Sequence, residues 1–414
     1  VAISVNGPVG GMEYPMICFN GPRPEEDGTY SKRTKYGLIS VVIHEVGHNW
    51  FPMIVNSDER QWTWMDEGLT TFMQYLAEQE WEENYPSRRG KPANIVPYMT
   101  GANQVPIMTN SDSVLNLGSN AYAKPATALN ILRETVMGRE LFDFAFKEYA
   151  NRWRFKRPMP SDFFRTMEDA SGTDLDWFWR GWFYSTDHVD IEISGVTVVD
   201  FDTKSEYIEK PKQMQRRDEE GETVSQERNK VLLKRADKFP ELKDFYNAYD
   251  ELNVTEDDKK AYEKFMEGLT DKQKETLANL PNAYLVEFNN VGGLVMPLIV
   301  ELQFNDGTSE VRRIPAEIWR RNNQVVSKMF ITEKPVKQIA IVPRGETADS
   351  DVANNYYPPR IETKSVETTP DFFNPRRGRR GGDNPMRRAM KPQESEEDKA
   401  DESKEGESEE SSDG

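Results

Sequence analysis

Apolar residues recur at helical spacing over residues 67–81, where Leu69, Phe72, Met73 and Leu76 share a face and predict a packed amphipathic helix. Similar signals predict helices over 126–137, closed by Gly138, over 139–153, and over 161–170, with Ser161 as N-cap and Gly172 at the end. Residues 39–52 are assigned to a helix too, although Val41, Val42 and Ile43 are β-branched and locally favour a strand. The stretch DLDWFWRGWFY at 174–184 is dense in aromatics and suits core packing. Residues 85–118, rich in Pro and Asn, have weaker periodicity and are expected to shape a cleft or its rim.

From residue 189 the period changes to two. Ile191-Glu192-Ile193 and residues 196–199 open a β region, and alternation returns at 284–288, 294–304 and 311–314, with Asn305-Asp306-Gly307 as a hairpin turn. Residues 325–331 and 336–342 complete a β-sandwich, and 349–359 end it. In between, 204–227 is charged and predicted to be a loop. Residues 228–279 are helical in composition, with Thr255-Glu256-Asp257-Asp258 and Thr270-Asp271 as start signals. The pattern implies an α+β multidomain chain. Its parts are a mainly helical domain at 1–187, a β-sandwich domain at 188–358 with a helical insertion at about 228–280, and a tail at 359–414. In that tail a basic block, Arg376 to Gly382, precedes an acidic one, and neither can bury enough apolar surface to fold; the tail is expected to be disordered and solvated.

Composition adds limits. The 414 residues, 36% hydrophobic and 11% aromatic, can bury one sizeable core or two. A net charge of −18 argues against general nucleic-acid or anionic-membrane binding, although residues 393–414 alone carry eleven acids against two lysines. A single cysteine, Cys18, excludes an internal disulfide framework, and no apolar run is long enough for a membrane span. The chain begins at Val1 without a signal-peptide pattern, and is expected to be a processed or incomplete piece. Compartment and oligomeric state stay open, and an exported or cell-envelope location is compatible.

The chemistry concentrates in VVIHEVGHNWFPMIVNSDERQWTWMDE at 41–67. Two of the three histidines, His44 and His48, flank Glu45 in an H-E-x-x-H pattern, and Glu67 follows after eighteen residues. On a helix, positions i and i+4 stack on one face, so both imidazoles can meet one ion. Zn²⁺ accepts imidazole and carboxylate and keeps one position open in catalytic sites. His44, His48 and Glu67 are therefore the expected metal ligands, and Glu45 is the general base toward the attacking water. Trp50, Trp62 and Trp64 are expected to wall the site and lower its dielectric. Asp66 suits either a ligand-orienting role or a helix start, and His188 is assigned a structural role.

Upstream, alternation in residues 1–5 predicts an edge strand running into Gly10-Gly11-Met12-Glu13-Tyr14, where glycines permit close backbone approach. Such an edge can pair with an extended peptide, and Glu13 is placed to hold an ammonium group. Taken alone, Glu13 reads as a solvent-facing acid after a glycine turn, and the binding role rests on the company of the H-E-x-x-H motif.

Together, G-G-M-E at 10–13, H-E-x-x-H-x-W at 44–50 and W-x-x-E-G at 64–68 resemble the gluzincin zinc metallopeptidases of the membrane alanyl aminopeptidase family. The resemblance covers about residues 1–184, and the sandwich more loosely. It implies a thermolysin-like catalytic domain holding one Zn²⁺ per chain. It also implies an exopeptidase motif formed by Gly10, Gly11, Met12 and Glu13, in which Glu13 binds the free amine of a peptide substrate. Tyr122, in the segment Tyr122-Ala123-Lys124, then donates to the oxyanion. Tyr14 stands where Asn is usual, and Pro125 where Gly is usual. The family's N-terminal β-domain is missing from this sequence, so this piece alone is expected to bind substrate poorly. The implied function is aminopeptidase activity; a zinc endopeptidase of the same fold and a catalytically silent binding scaffold are the alternatives.

Overall fold

The computed structural model describes residues 1–361 and 384–390. The expectations for the basic and acidic blocks of the tail fall outside these residues. Three short strands, β1 (Ala2–Ser4), β2 (Gly11–Tyr14) and β3 (Ile17–Asn20), form a sheet in the order β1-β3-β2, with β1 parallel and β2 antiparallel to β3. β2 is therefore an edge strand, and it lies against α1 (Lys32–Gly47).

α1 begins seven residues before the predicted start. Ser31 caps it, its hydroxyl accepting from Thr34 N at 3.1 Å. Val41, Val42 and Ile43 are helical because α1 packs between the small sheet and α2 (Leu69–Trp81), and that packing outweighs their strand preference. Residues 49–52 leave the α-helix: a π-helical turn spans Asn49–Ile54, with Phe51 extended at φ −120°, ψ 113°. Further π-helical turns occupy Trp64–Gly68, Gly118–Ala123 and Leu132–Met137. Tyr122 thus sits in a helical turn running into α4 (Lys124–Ile131). The Pro- and Asn-rich stretch contains the short α3 (Pro92–Met99).

α5 (Arg139–Trp153) has the predicted bounds. α6 (Pro160–Ser171) is capped at Met159, whose N–H donates to the Asp162 carboxylate at 2.8 Å; Ser161 lies inside the helix instead of capping it. Gly172, at φ 64°, closes α6 in the left-handed conformation. α7 (Asp176–Tyr184) completes an aromatic core in which Trp64 packs on Phe163, Phe164 and Phe183.

Two antiparallel sheets follow. β4 (Ile191–Val199), β5 (Asn282–Asn290) and β8 (Val325–Thr332) form one, in the order β4-β5-β8. β6 (Leu298–Phe304), β7 (Ser309–Ile314), β9 (Val336–Ile341) and β10 (Tyr356–Tyr357) form the other, in the order β10-β9-β6-β7. The β6–β7 hairpin turns at Asn305-Asp306-Gly307 as predicted, with Gly307 at φ 84° and Asp306 accepting from the Thr308 N–H. Side chains of β5 and β6 join those of α7 in one continuous apolar core. The helical and sheet regions also meet where Gly181 leaves room for Leu294, a Cβ there lying 3.3 Å from Leu294 Cγ, and where the Thr135 hydroxyl donates to Glu346 O at 2.8 Å.

Between β4 and β5 the chain makes a helical excursion: α8 (Glu206–Glu219), α9 (Val224–Arg228), α10 (Arg235–Lys238), α11 (Glu256–Glu267) and α12 (Asp271–Ala278). α8 occupies a stretch predicted to be loop. Its charges follow the helix dipole, with Glu206 and Glu209 at the start and Arg216 and Arg217 at the end. Near the end of the chain α13 (Pro385–Met390) returns to the β3–α1 connection, where Arg387 Nε donates to Asp27 at 2.8 Å. Among the described residues no helix is long and apolar enough to cross a membrane.

Candidate metal centre and cleft

His44 and His48 project from one face of α1. His48 follows Gly47 with helical backbone angles (φ −60°, ψ −18°), so the i, i+4 register is kept one residue past the helix end. Glu67 enters from the π-helical turn that leads into α2. Its Oε2 lies 2.9 Å from His44 Nε2 and 3.4 Å from His48 Nε2. One donor atom from each of the three lies within 4.8 Å of the others.

The remaining imidazole nitrogens are tied down. His44 Nδ1 donates to Gln74 Oε1 at 3.0 Å, and Gln74 is itself oriented because its amide N–H donates to Glu78 at 2.6 Å. His48 Nδ1 donates to Phe51 O at 2.9 Å and lies 2.8 Å from Asp66 Oδ1. That carbonyl faces back toward the histidine because Phe51 is extended within its turn, and the Thr70 hydroxyl also donates to it at 3.0 Å. With Nδ1 committed as a donor, Nε2 of each ring faces Glu67 and is the atom left for an ion.

His48 Nε2 is buried without a hydrogen-bond partner among the described residues, as is Glu45 Oε2. Burial opposes charge on His48, yet the Asp66 and Glu67 carboxylates raise it to about 11, so these acids favour positive charge at this ring, whether a proton or a metal ion. Two imidazoles, one of them with its Nε2 buried and unpaired, and a carboxylate fit a divalent ion of the zinc type.

Glu45 is buried, and that burial pushes its carboxyl up to about 7, reinforced by Glu13, Glu67 and Asp66 and opposed by His48. A ligand oxygen of Glu13 approaches Glu45 and His48 from β2. Gly11 is what permits this approach: a Cβ there would run into Glu45 Oε1 and lie 2.6 Å from Val41 Cγ2. Gly10, by contrast, has open space around it. Met12 and Tyr14 are exposed, with Tyr14 edge-on to Phe19. Tyr122 Oη donates to Glu67 Oε1 at 2.6 Å, and its ring stacks on His44. Burial and the neighbouring Glu67 carboxylate both raise the phenol, which stays protonated.

The three tryptophans do not wall the site. Trp64 is in the aromatic core, Trp62 packs against that core, and Trp50 faces solvent, because the π-helical turns direct these side chains away from the histidines. The cavity of about 760 Å³ is lined instead by Gly11, Glu13, Tyr36, Ser40, Arg89 and Tyr122, among others. His188 bridges to Gly293 in the sheet region, away from the cleft. Sequence reasoning left Asp66 undecided and missed Gln74, Thr70 and Arg89. The signal for two of these was present: Glu67, Thr70, Gln74 and Glu78 recur at three- and four-residue spacing, a polar stripe on an otherwise apolar helix.

Residues 6–182 match the model described as the Peptidase family M1 domain. Aminopeptidase N of Lactococcus lactis subsp. lactis is 26% identical over 168 residues, which is 38% of this chain and 19% of that protein. Probable aminopeptidase 1 of Sulfurisphaera tokodaii is 25% identical over 182 residues, 42% of this chain and 23% of that protein. The match to each therefore spans less than a quarter of the relative's length. A crystal structure of Legionella pneumophila aminopeptidase A in complex with aspartic acid aligns with 84% of this chain and 31% of its own, at 13% identity and a TM-score of 0.48.

Proposed function

We propose, from the match of residues 6–182 to the Peptidase family M1 domain, that this chain is part of a zinc-dependent aminopeptidase of that family that removes the N-terminal residue of peptides. The observation that carries this reading is the convergence of His44 Nε2, His48 Nε2 and Glu67 Oε2 beside the carboxylate of Glu45.

His44, His48 and Glu67 would hold the ion, which would supply Lewis acidity toward the scissile carbonyl and the attacking water. Glu45, poised near neutrality by its burial, takes the proton of the attacking water and delivers it to the leaving amine. The Tyr122 phenol, kept protonated by its surroundings, turns its proton from Glu67 Oε1 to the developing oxyanion. Glu13 on the β2 edge pairs with the substrate's ammonium group, which sets the scissile bond one residue from the N-terminus. The free edge of β2 offers main-chain hydrogen bonds to an extended peptide. The Nδ1 contacts of both histidines, through Gln74 and through Phe51 O with Asp66, fix the ligand tautomers.

The test is hydrolysis of unblocked amino-acid anilides beside internally quenched, N-acetylated peptides, with Glu45→Gln as control. Anilide turnover is expected to fall by about 10²–10⁴-fold in the variant while zinc, measured by elemental analysis, is retained. Cleavage of the acetylated peptides in preference to the anilides would assign an endopeptidase instead.

A further inference from the structure

The cleft has two ends of opposite charge. Glu13 and Glu45 meet His48 at the C-terminal end of α1, whereas Lys32 and Arg33 line the same cavity from its first turn. Arg88 and Arg89 line the same cavity from the segment after α2. Among the described residues none of these four cations has a salt-bridge partner, and the neighbouring acids are engaged elsewhere. Glu78 accepts from Ser40, Gln74 and Ser87. Glu82 accepts from Tyr36 and pairs with Lys35 at 3.5 Å.

Lysine and arginine in the first turn of a helix oppose its dipole, and α1 has no acid there to compensate. Four unpaired cations around one cavity, in a chain of net charge −18, break the local electrostatic pattern, as functional sites do. Arg89 also stands with its guanidinium 4.4 Å from the ring centroid of Tyr122, so the positive wall extends from the helix start to the reacting centre.

Resting on the aminopeptidase reading, we propose that Lys32, Arg33, Arg88 and Arg89 form a carboxylate-binding subsite downstream of the scissile bond. The cleft then selects short peptides by both termini, the amine at Glu13 and a carboxylate at the basic end. The twelve residues from Lys32 to His44 span about 18 Å at ~1.5 Å each. An extended peptide covers that distance in about five residues at ~3.3 Å each, so the favoured substrates are oligopeptides of about three to six residues. A C-terminal carboxylate or an acidic side chain at the matching place supplies the same chemistry, and arginine suits it through paired N–H donors.

The experiment uses the zinc-loaded full chain carrying Glu45→Gln, so that peptides bind without being consumed. Calorimetry compares Ala-Ala-Ala-Ala, its C-terminal amide, and Ala-Ala-Glu-Ala amide. Amidation is expected to weaken binding by about tenfold, with the loss shrinking as salt is raised. If only the α-carboxylate is read, the glutamate peptide binds like the plain amide; if a side chain serves as well, it recovers the affinity. Arg33→Gln combined with Arg88→Gln is expected to bring the acid down to the affinity of the amide. Equal binding of acid and amide, or an equal loss for both in the double variant, overturns the subsite and leaves the peptidase reading intact. Absence of binding by every peptide overturns both.

Discussion

At the scale of single residues, the centre depends on groups that hold other groups. Gln74 contributes nothing to an ion directly, but its Oε1 receives the Nδ1 proton of His44 and thereby fixes which nitrogen is free. Gln74→Leu leaves that N–H without its acceptor and frees the imidazole to rotate. Zinc affinity, measured by competition with a chromogenic chelator, is expected to drop by about 10–100-fold, with little change in folding. The proximity of His44, His48 and Glu67 was legible in the sequence because helical spacing and a carboxylate at a fixed interval are one-dimensional signals. For Gln74 only its place in the polar stripe of α2 was legible, because the spacing is the same whether that stripe faces water or an imidazole. The tryptophans misled for a related reason: the sequence shows aromatic residues beside the ligands, and only the backbone of the π-helical turns decides which way they point.

Among elements, the contact that brings Glu67 to Tyr122 is the packing of two π-helical turns, Trp64–Gly68 against Gly118–Ala123. Gly68 makes room for it, since a Cβ there would lie 2.6 Å from Pro125 Cγ and 2.9 Å from Ala121 O. Gly68→Ala is expected to wedge the turns apart, destabilising the protein by about 1–3 kcal/mol and weakening zinc retention in parallel. Thermal unfolding and metal analysis on the same samples check both. Long helices with apolar faces were legible, α5 to the residue. The start of α1 and the whole of α8 were not, because both are dominated by charged side chains that carry no burial signal. Extra-wide turns inside helices leave no pattern in composition at all.

The whole molecule is held by one apolar core shared between helices and sheets, and its stability has a pH signature at their junction. Asp349, buried, accepts from Ile191 N at 3.3 Å and from Asp351 N at 3.1 Å. Burial nevertheless pushes its carboxyl from 3.8 up to about 6, those N–H groups opposing the rise and Asp190 adding to it. Between these two values the folded chain holds more protons than the unfolded one, so this residue's contribution falls as pH rises and is constant above pH 6. The size of the fall is about 2–3 kcal/mol. Asp349→Asn keeps the shape and removes the charge. Urea unfolding is expected to show the variant gaining on the parent by about 2 kcal/mol between pH 4 and 7; parallel curves would show that the buried carboxylate is compensated. The alternation that announced the sheets was visible in the sequence, but their joining with the helical region into one core was not, since it rests on contacts such as Gly181 with Leu294 between residues far apart in the chain.

The hydrogen bond from Tyr122 to Glu67 Oε1 bears on denticity. With that oxygen occupied by a phenol, the carboxylate presents a single atom, Oε2, on the side of the two imidazoles. Three one-atom donors would leave a four-coordinate zinc ion room for one further ligand, the arrangement that lets such an ion act on water or a carbonyl and not only brace a fold.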